Sequence, residues 1–145
     1  MSDGQEGTLR ISDFLTGANP TVISVFVNTG FGATAFGLLG CFYIVPAGRR
    51  AFLERIDISV RIAGTIIPAG QLFVDQGYSP AGAAIQPMKV MDFDPGDGPG
   101  SSELSGLRFG HMLPGDAIQL NLTAIAIGSA GNFFRSAFHG IEYDE

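Results

Sequence analysis

The side chains able to do chemistry are few. They are two histidines, His111 and His139, one cysteine, Cys41, and a carboxylate group formed by Asp92, Asp94 and Asp97. A zinc site takes three or four nitrogen or sulfur ligands. Both histidines, Cys41 and a carboxylate would all have to converge to build one. A metal centre held between sheet strands needs several histidines and a glutamate, and two histidines fall short of that. Cys41 sits in an apolar run and reads as a small buried hydrophobe. With no second cysteine it forms no disulfide within the chain, which fits synthesis in a reducing compartment. His139 reads as a partner within the last strand and His111 as a turn residue. The sequence therefore predicts no metal and no cofactor.

The run Asp92-Phe93-Asp94-Pro95-Gly96-Asp97 begins like a calcium loop. Pro95 and the missing distal glutamate break the EF-hand pattern. A solvated acidic loop is the plainer reading, and a weak surface calcium site is the alternative. No Gly-x-Ser-x-Gly supports a serine nucleophile. The glycine-rich stretches 29–40 and 96–106 lack the lysine and hydroxyl that end a phosphate loop, and no strand-to-helix junction follows them. The expectation is a protein that is not an enzyme. Phenylalanine is abundant at 12, tyrosine is 3 and tryptophan is absent. Sugar sites commonly stack on tryptophan or tyrosine, so the phenylalanines read as core and interface material.

Composition turns attention from chemistry to contact. Charged residues make up 15% of the 145-residue chain, against about 25% in an ordinary soluble domain. Hydrophobic residues reach 46% and mean hydropathy is +0.28. A single domain of this length can bury a sufficient core without staples. Its surface, short of charges, is then covered in part by protein, as in an oligomer or a shell component. The alternative is a monomer coated with glycine, serine and threonine. Net charge is −6, which opposes non-specific binding to nucleic acid. Arg49, Arg50, Arg55 and Arg61 lie close together but are interleaved with Glu54 and Asp57, which suggests a salt-bridged sheet face. No apolar run approaches the length of a membrane span. The start, Met1 to Gly7, lacks the cationic and apolar regions of a signal peptide.

The elements that would carry these residues are strands. Successive strand side chains point to opposite faces. Ile56, Ile58, Val60 and Ile62 therefore share a buried face, while Arg55, Asp57, Ser59 and Arg61 share the other. Further strands are expected at Thr21–Val27, Leu38–Val45, Gln71–Gln76, Ile85–Phe93, Leu104–Phe109, Ala117–Ile127 and Phe133–Tyr143. Pro87 places the start of its run at a sheet edge or outside the ladder. Phe133–Tyr143 is apolar on both faces, as in a central strand or one at a subunit contact. Thr8–Leu15 reads equally as a short strand or one helical turn. Asn28–Gly40 reads as a glycine-rich loop or an arm on a neighbouring subunit, and Asp94–Ser102 as a loop. Ile118, Leu120 and Leu122 share one face while Ile125 and Ile127 take the other, which suggests a bulge near Thr123-Ala124 or a strand that passes from one packing surface to another. Pro-Ala-Gly recurs at 46–48, 68–70 and 80–82, with Pro-Gly at 114–115. Proline suits the second turn position and glycine the fourth. Together these features predict an all-β fold, an antiparallel β-sandwich or jelly roll. Residues 1–37 form an N-terminal arm, extended or strand-forming, with the first strand, and residues 38–145 form the sandwich domain.

The run Tyr43-Ile44-Val45-Pro46-Ala47-Gly48-Arg49-Arg50-Ala51-Phe52-Leu53 resembles a phrase found in small virion proteins of tailed bacteriophages. Leu113-Pro114-Gly115-Asp116 is similar to the turn that opens a jelly-roll strand, and Phe138-His139-Gly140-Ile141-Glu142-Tyr143 resembles a closing strand of such modules. The resemblance covers 43–62 and 113–143, about a third of the chain. It implies a virion structural protein, either a head decoration (cement) protein or a neck, tail or fibre component, commonly a homotrimer. The implied partners are further copies of itself and the major capsid or other virion proteins. The implied location is the virion, after synthesis in the host cytoplasm. Position and residue type nominate Phe31, Phe36, Arg49, Arg50, Phe133, Phe134 and Arg135 as contact residues. Two other readings stand beside this one. A tail or fibre module that binds a host receptor would carry a polar groove at its tip. A small jelly-roll enzyme would bring His111, His139 and a carboxylate within hydrogen-bond reach.

Overall fold

The computed structural model describes residues 19–32, 35–66, 71–94, 96–107, 109–125 and 130–145. Thr8–Leu15 and the Pro-Ala-Gly at 68–70 lie outside them. Nine strands occur among the described residues: β1 (Thr21–Phe31), β2 (Ala35–Ile44), β3 (Arg49–Ile62), β4 (Gln71–Ser79), β5 (Gln86–Phe93), β6 (Gly100–Leu107), β7 (Gly110–Met112), β8 (Ala117–Ile125) and β9 (Asn132–Asp144). They form two antiparallel sheets. The first runs β1-β9-β3-β6, with β7 pairing on β3 as well. The second runs β2-β8-β4-β5. β7 faces Ala51–Leu53 and β6 faces Ile56–Ile62, so the two share one lane beside β3. With that lane counted as one strand, the orders 1-9-3-6/7 and 2-8-4-5 are the wrapping of a jelly roll. The fold is an all-β sandwich, as the alternation in the sequence requires.

The core lies between the sheets. Ile56, Ile58, Val60 and Ile62 all point into it from β3, against Leu72 and Val74 of β4 and Ile118, Leu120 and Leu122 of β8. Earlier in β3 the buried pair is Ala51 and Leu53, one step out of phase. The shift comes from a bulge: Leu53 and Arg55 pair with consecutive residues Gly140 and His139, leaving Glu54 extra. The bulged backbone presses on β9. A Cβ on Gly140 would stand 2.1 Å from the Phe52 carbonyl oxygen, so only glycine fits there.

Three local expectations change. Asn28–Gly40 is mostly strand: β1 runs on to Phe31 and pairs throughout with β9, and β2 begins at Ala35. Glycine fits because the sheets approach closely here. A Cβ on Gly40 would meet Ser136 Oγ at 2.6 Å and the Phe134 ring at 2.8 Å. The bulge expected near Thr123-Ala124 is absent from β8, which keeps an unbroken register with β4. The irregularities sit on β2 instead, between Ala35 and Leu38 and between Leu39 and Phe42. Ala124 is buried in line with Leu122, so the inner row continues through a small side chain. Finally, β6 begins at Gly100, inside the expected loop. Backbone pairing with β3 builds that stretch, although Ser101 and Ser102 contribute nothing to the core.

The turns differ in one detail. The Arg49 N–H donates to the Pro46 carbonyl (3.2 Å) and the Ala83 N–H to the Pro80 carbonyl (2.8 Å). Gly48 and Gly82 are therefore third in their turns, not fourth, with φ of 76° each. That left-handed conformation is what glycine supplies. The Leu113–Asp116 turn places Pro114 second and Gly115 third, with φ of 84°. It docks on the first turn through two backbone bonds of 2.9 Å between Val45 and Gly115-Asp116.

Candidate functional site

The nominated contact residues fall in different places. Phe134 and Phe31 are buried in the protein's own core. They alternate with outward residues on β9 and β1, so their burial follows from strand parity. Phe133 and Arg135 occupy the outer face of the first sheet, with the Arg135 guanidinium 6.0 Å from the Phe133 ring centre. The Phe36 side chain lies outside the described residues. Arg50 is exposed and 3.7 Å from Glu145. Arg49 is engaged within the protomer. It bonds to Glu142 at 3.0 Å, to Asp144, to the Asn19 carbonyl at 3.1 Å and to Thr21 Oγ1 at 3.0 Å. The Asp144 and Glu142 carboxylates hold its pKa above the usual arginine value. The Tyr43 hydroxyl donates to the same Glu142, and burial with that carboxylate pushes the phenol well up.

A depression of about 400 Å³ lies on the outer face of the first sheet. Its low point is Ala137, flanked in one row by Phe26 of β1 and Asp57 of β3. Asp57 Oδ1 accepts from Arg55 Nε (2.9 Å), the Ser105 hydroxyl (2.8 Å) and the Gly106 N–H (3.2 Å). Burial raises its pKa, but these bonds outweigh it, and the carboxyl is held below the usual carboxylate range. His139 Nε2 stands 3.7 Å from Asp57 Oδ2, too long for the hydrogen bond an acid–base pair needs. His111 lies on β7 beside Phe52, ring centres 5.2 Å apart. Burial, with the charge of Arg50, lowers its pKa. The two histidines thus flank β3 on opposite sides, opposite Phe52 and Arg55. The acidic loop is tied internally. Asp97 Oδ2 accepts from the Asp94 N–H at 2.9 Å, and Asp92 pairs with Lys89 at 3.3 Å. Among the described residues no three His, Cys, Asp or Glu side chains group as metal ligands do.

A second feature is apolar. Val22 and Phe26 project from β1 on the outer face of the first sheet, and Leu39, Phe42 and Ile44 are exposed on β2 of the second. β1 and β2 are the end strands of their sheets and pack against each other. Val22 and Phe26 therefore lie on one outer face of the sandwich and Leu39, Phe42 and Ile44 on the other, along its β1–β2 end. The signal for this side was present in the sequence, since neither TVISVFVNTGF nor AFGLLGCFYI holds a charged residue.

No protein-family profile and no curated protein matches the chain. Among solved structures, it is similar to a chain of infectious bursal disease virus, Gx strain, at 8% identity and a TM-score of 0.45 over 87% of this chain. It is also similar to a chain of turnip yellow mosaic virus, at 10% identity and a TM-score of 0.36, covering 89% of this chain and 83% of that one. A chain of the infectious bursal disease virus VP2 subviral particle follows at 12% identity and a TM-score of 0.34 over 86% of this chain. The chain spans about a third of the length of the infectious bursal disease virus chains, 36% and 33%.

Proposed function

We propose that the chain is a structural protein of a virus particle, one that decorates or cements the capsid of a tailed bacteriophage and works as a homotrimer. The observation that carries this reading is where the exposed apolar side chains lie. Val22 and Phe26 are exposed on β1 and Leu39, Phe42 and Ile44 on β2, the end strands of the two sheets, and apolar strand flanks of this kind suit a shell component that meets its neighbours. Apolar area removed from water stabilises a contact by roughly 25 cal/mol per Å², and a shell built from such contacts resists expansion without any catalytic step. The test is co-sedimentation with phage capsids stripped of accessory proteins. Saturable binding and a raised disruption temperature of the shell are expected. A protein that stays in the supernatant at all concentrations overturns the reading.

One observation favours a tail or fibre module instead. The depression over Ala137 combines the exposed Phe26 ring with Arg55, Arg135, Glu103 and Ser105, a set able to hold a polar ligand. Binding of host surface glycans that is lost in Ala137→Trp would favour that alternative.

A further inference from the structure

Edge strands present unpaired N–H and C=O groups, and proteins guard them with charges, prolines or bulges. Among the described residues, three of the four sheet ends carry such guards. β5 carries Pro87, Lys89 and Asp92, with a break in its register against β4. β6 carries Glu103, with a break in its register against β3. The register of β2 against β8 breaks twice, between Ala35 and Leu38 and between Leu39 and Phe42. β1 has no such guard. It holds no Asp, Glu, Lys, Arg or Pro in 11 residues and pairs with β9 in unbroken register from Thr21 to Phe31. A long, flat, apolar edge of this kind is a template for another strand. Both faces beside the edge are open. Val22 and Phe26 are exposed on the outer face, and Val25 and Val27 are only half-buried on the inner one.

The chain itself supplies a matching segment. Residues 8–15 alternate in part, with Leu9 and Ile11 on one face and Arg10 and Ser12 on the other, and only residues 16–20 separate them from β1. A five-residue connection is among the common hairpin lengths, and Thr16, Gly17, Asn19 and Pro20 are turn formers. Asn19 already has a φ of 48°, the left-handed conformation that asparagine adopts in turns. It is pinned at the corner of the sheet. Its side chain donates to Asp144 at 2.6 Å, and its carbonyl accepts from Arg49 at 3.1 Å. A chain folding back from this corner sets Leu15 opposite Thr21. Antiparallel pairing then sets Ile11 opposite Val25 and Leu9 opposite Val27 on the inner face, with Phe14 beside Val22 and Arg10 beside Phe26 on the outer one. The guards missing from β1 appear on the new edge, as Arg10 and an inward-pointing Asp13. A second copy pairing on β1 competes with a tethered segment whose effective concentration is on the order of millimolar.

We infer that residues 8–15 pair as an antiparallel strand on the free edge of β1 in the same chain, with Leu9 and Ile11 extending the inner row and Arg10 and Asp13 guarding the new edge. The inference does not depend on the virion reading. Leu39, Phe42 and Ile44, on the outer face of the second sheet, stay open to neighbouring subunits whether or not the β1 edge is covered. The test is amide hydrogen exchange, resolved by residue with NMR, on the full chain as wild type, as Leu9→Asp with Ile11→Asp, and as Ser12→Asp. Light scattering over a dilution series accompanies it. Every second amide of β1 points away from β9. In the wild type these amides between Thr21 and Val27 are expected to be protected. In the doubly substituted chain they are expected to exchange at least about tenfold faster, while the β1 amides bonded to β9 hold their rates. Ser12→Asp, on the outer face, is expected to keep the wild-type pattern. Wild-type amides that exchange on this edge as fast as in an unstructured chain overturn the inference, and so does protection that survives the double substitution. Loss of both sets of β1 amides together overturns it as well, because the segment would then belong to the core. Protection that fades on dilution in step with a fall in mass assigns the edge to a second copy and also overturns it.

Discussion

The Asp116 carboxylate accepts a hydrogen bond from the Tyr78 hydroxyl at 2.8 Å, tying the end of β4 to the turn that opens β8. The same buried carboxylate accepts from the Leu113 and Ala81 N–H groups, each at 2.9 Å. One side chain thus joins two of the proline-glycine turns. Burial pulls its pKa upward, but the bonds from Leu113, Ala81 and Tyr78 outweigh that and lower it. Tyr78 moves the opposite way, raised by burial and by the neighbouring charge. A carboxyl with a depressed folded pKa adds stability above its unfolded value of about 3.9, and that contribution fades as pH falls through the folded value. Asp116→Ala is therefore expected to lose about 2–4 kcal/mol at pH 7 in urea unfolding. The gap to the wild type should narrow below about pH 4. A gap of constant size down to pH 2 would place the loss in packing and not in the charged bonds.

The bulge at Glu54 makes Gly140 a fixed point. A methyl group there meets backbone, the Phe52 carbonyl at 2.1 Å and Leu53 Cα at 3.0 Å, and backbone in a central pair of strands cannot step aside cheaply. Gly140→Ala should cost about 3 kcal/mol or more. Gly37→Ala on β2, where a Cβ meets nothing within 4 Å, should change stability by less than about 1 kcal/mol. Urea midpoints of the two variants provide the comparison; equal midpoints would mean that the bulge relaxes around the methyl group.

What the sequence made legible follows from parity. The row Ile56, Ile58, Val60 and Ile62 announces a half-buried strand because a two-residue period has one structural meaning, and Pro87 correctly marks an edge. Parity also fails in identifiable ways. Phe133 and Phe134 look alike in sequence, yet one faces out and the other in, because neighbours on a strand cannot share a face. Glycine-rich Asn28–Gly40 resembles a loop until the partner sheet is known; Gly40 is there for the approach of Ser136 and Phe134. The depression over Ala137 is assembled from β1, β3, β6 and β9, so no local motif could announce it. The charge-free pair of strands at the sandwich side was legible, but its meaning required knowing that both are end strands.

Arg49 holds the start of β1 to β3 and β9 through Asn19, Thr21, Glu142 and Asp144. A planar five-donor guanidinium can serve these acceptors together, and a lysine ammonium cannot. Arg49→Lys should therefore keep the charge and still lower the melting temperature. Amide exchange should accelerate first at Thr21–Ile23, at the end of β1 that Arg49 anchors. If Arg49→Lys matches the wild type in both measurements, the charge alone suffices and the forked geometry is incidental.

Ile58 sits in the middle of the inner row of β3, between Ser136 of β9 and Leu104 of β6, and is buried, whereas Ser59 beside it faces the outer depression. Ile58→Asp places a carboxylate in the apolar core, where the hydroxyl of its cross-strand neighbour Ser136 cannot offset several kcal/mol of desolvation. That is comparable with the whole stability of a domain, about 5–15 kcal/mol. The variant should be insoluble or unfolded by circular dichroism. Ser59→Asp, one residue along, has solvent on its face and Arg135 of β9 to offset Glu103 of β6, since Ser59 pairs with both across the sheet. It should remain folded with a midpoint close to the wild type. A folded, soluble Ile58→Asp protein would mean that β3 can slip its register by one residue and turn this row to solvent.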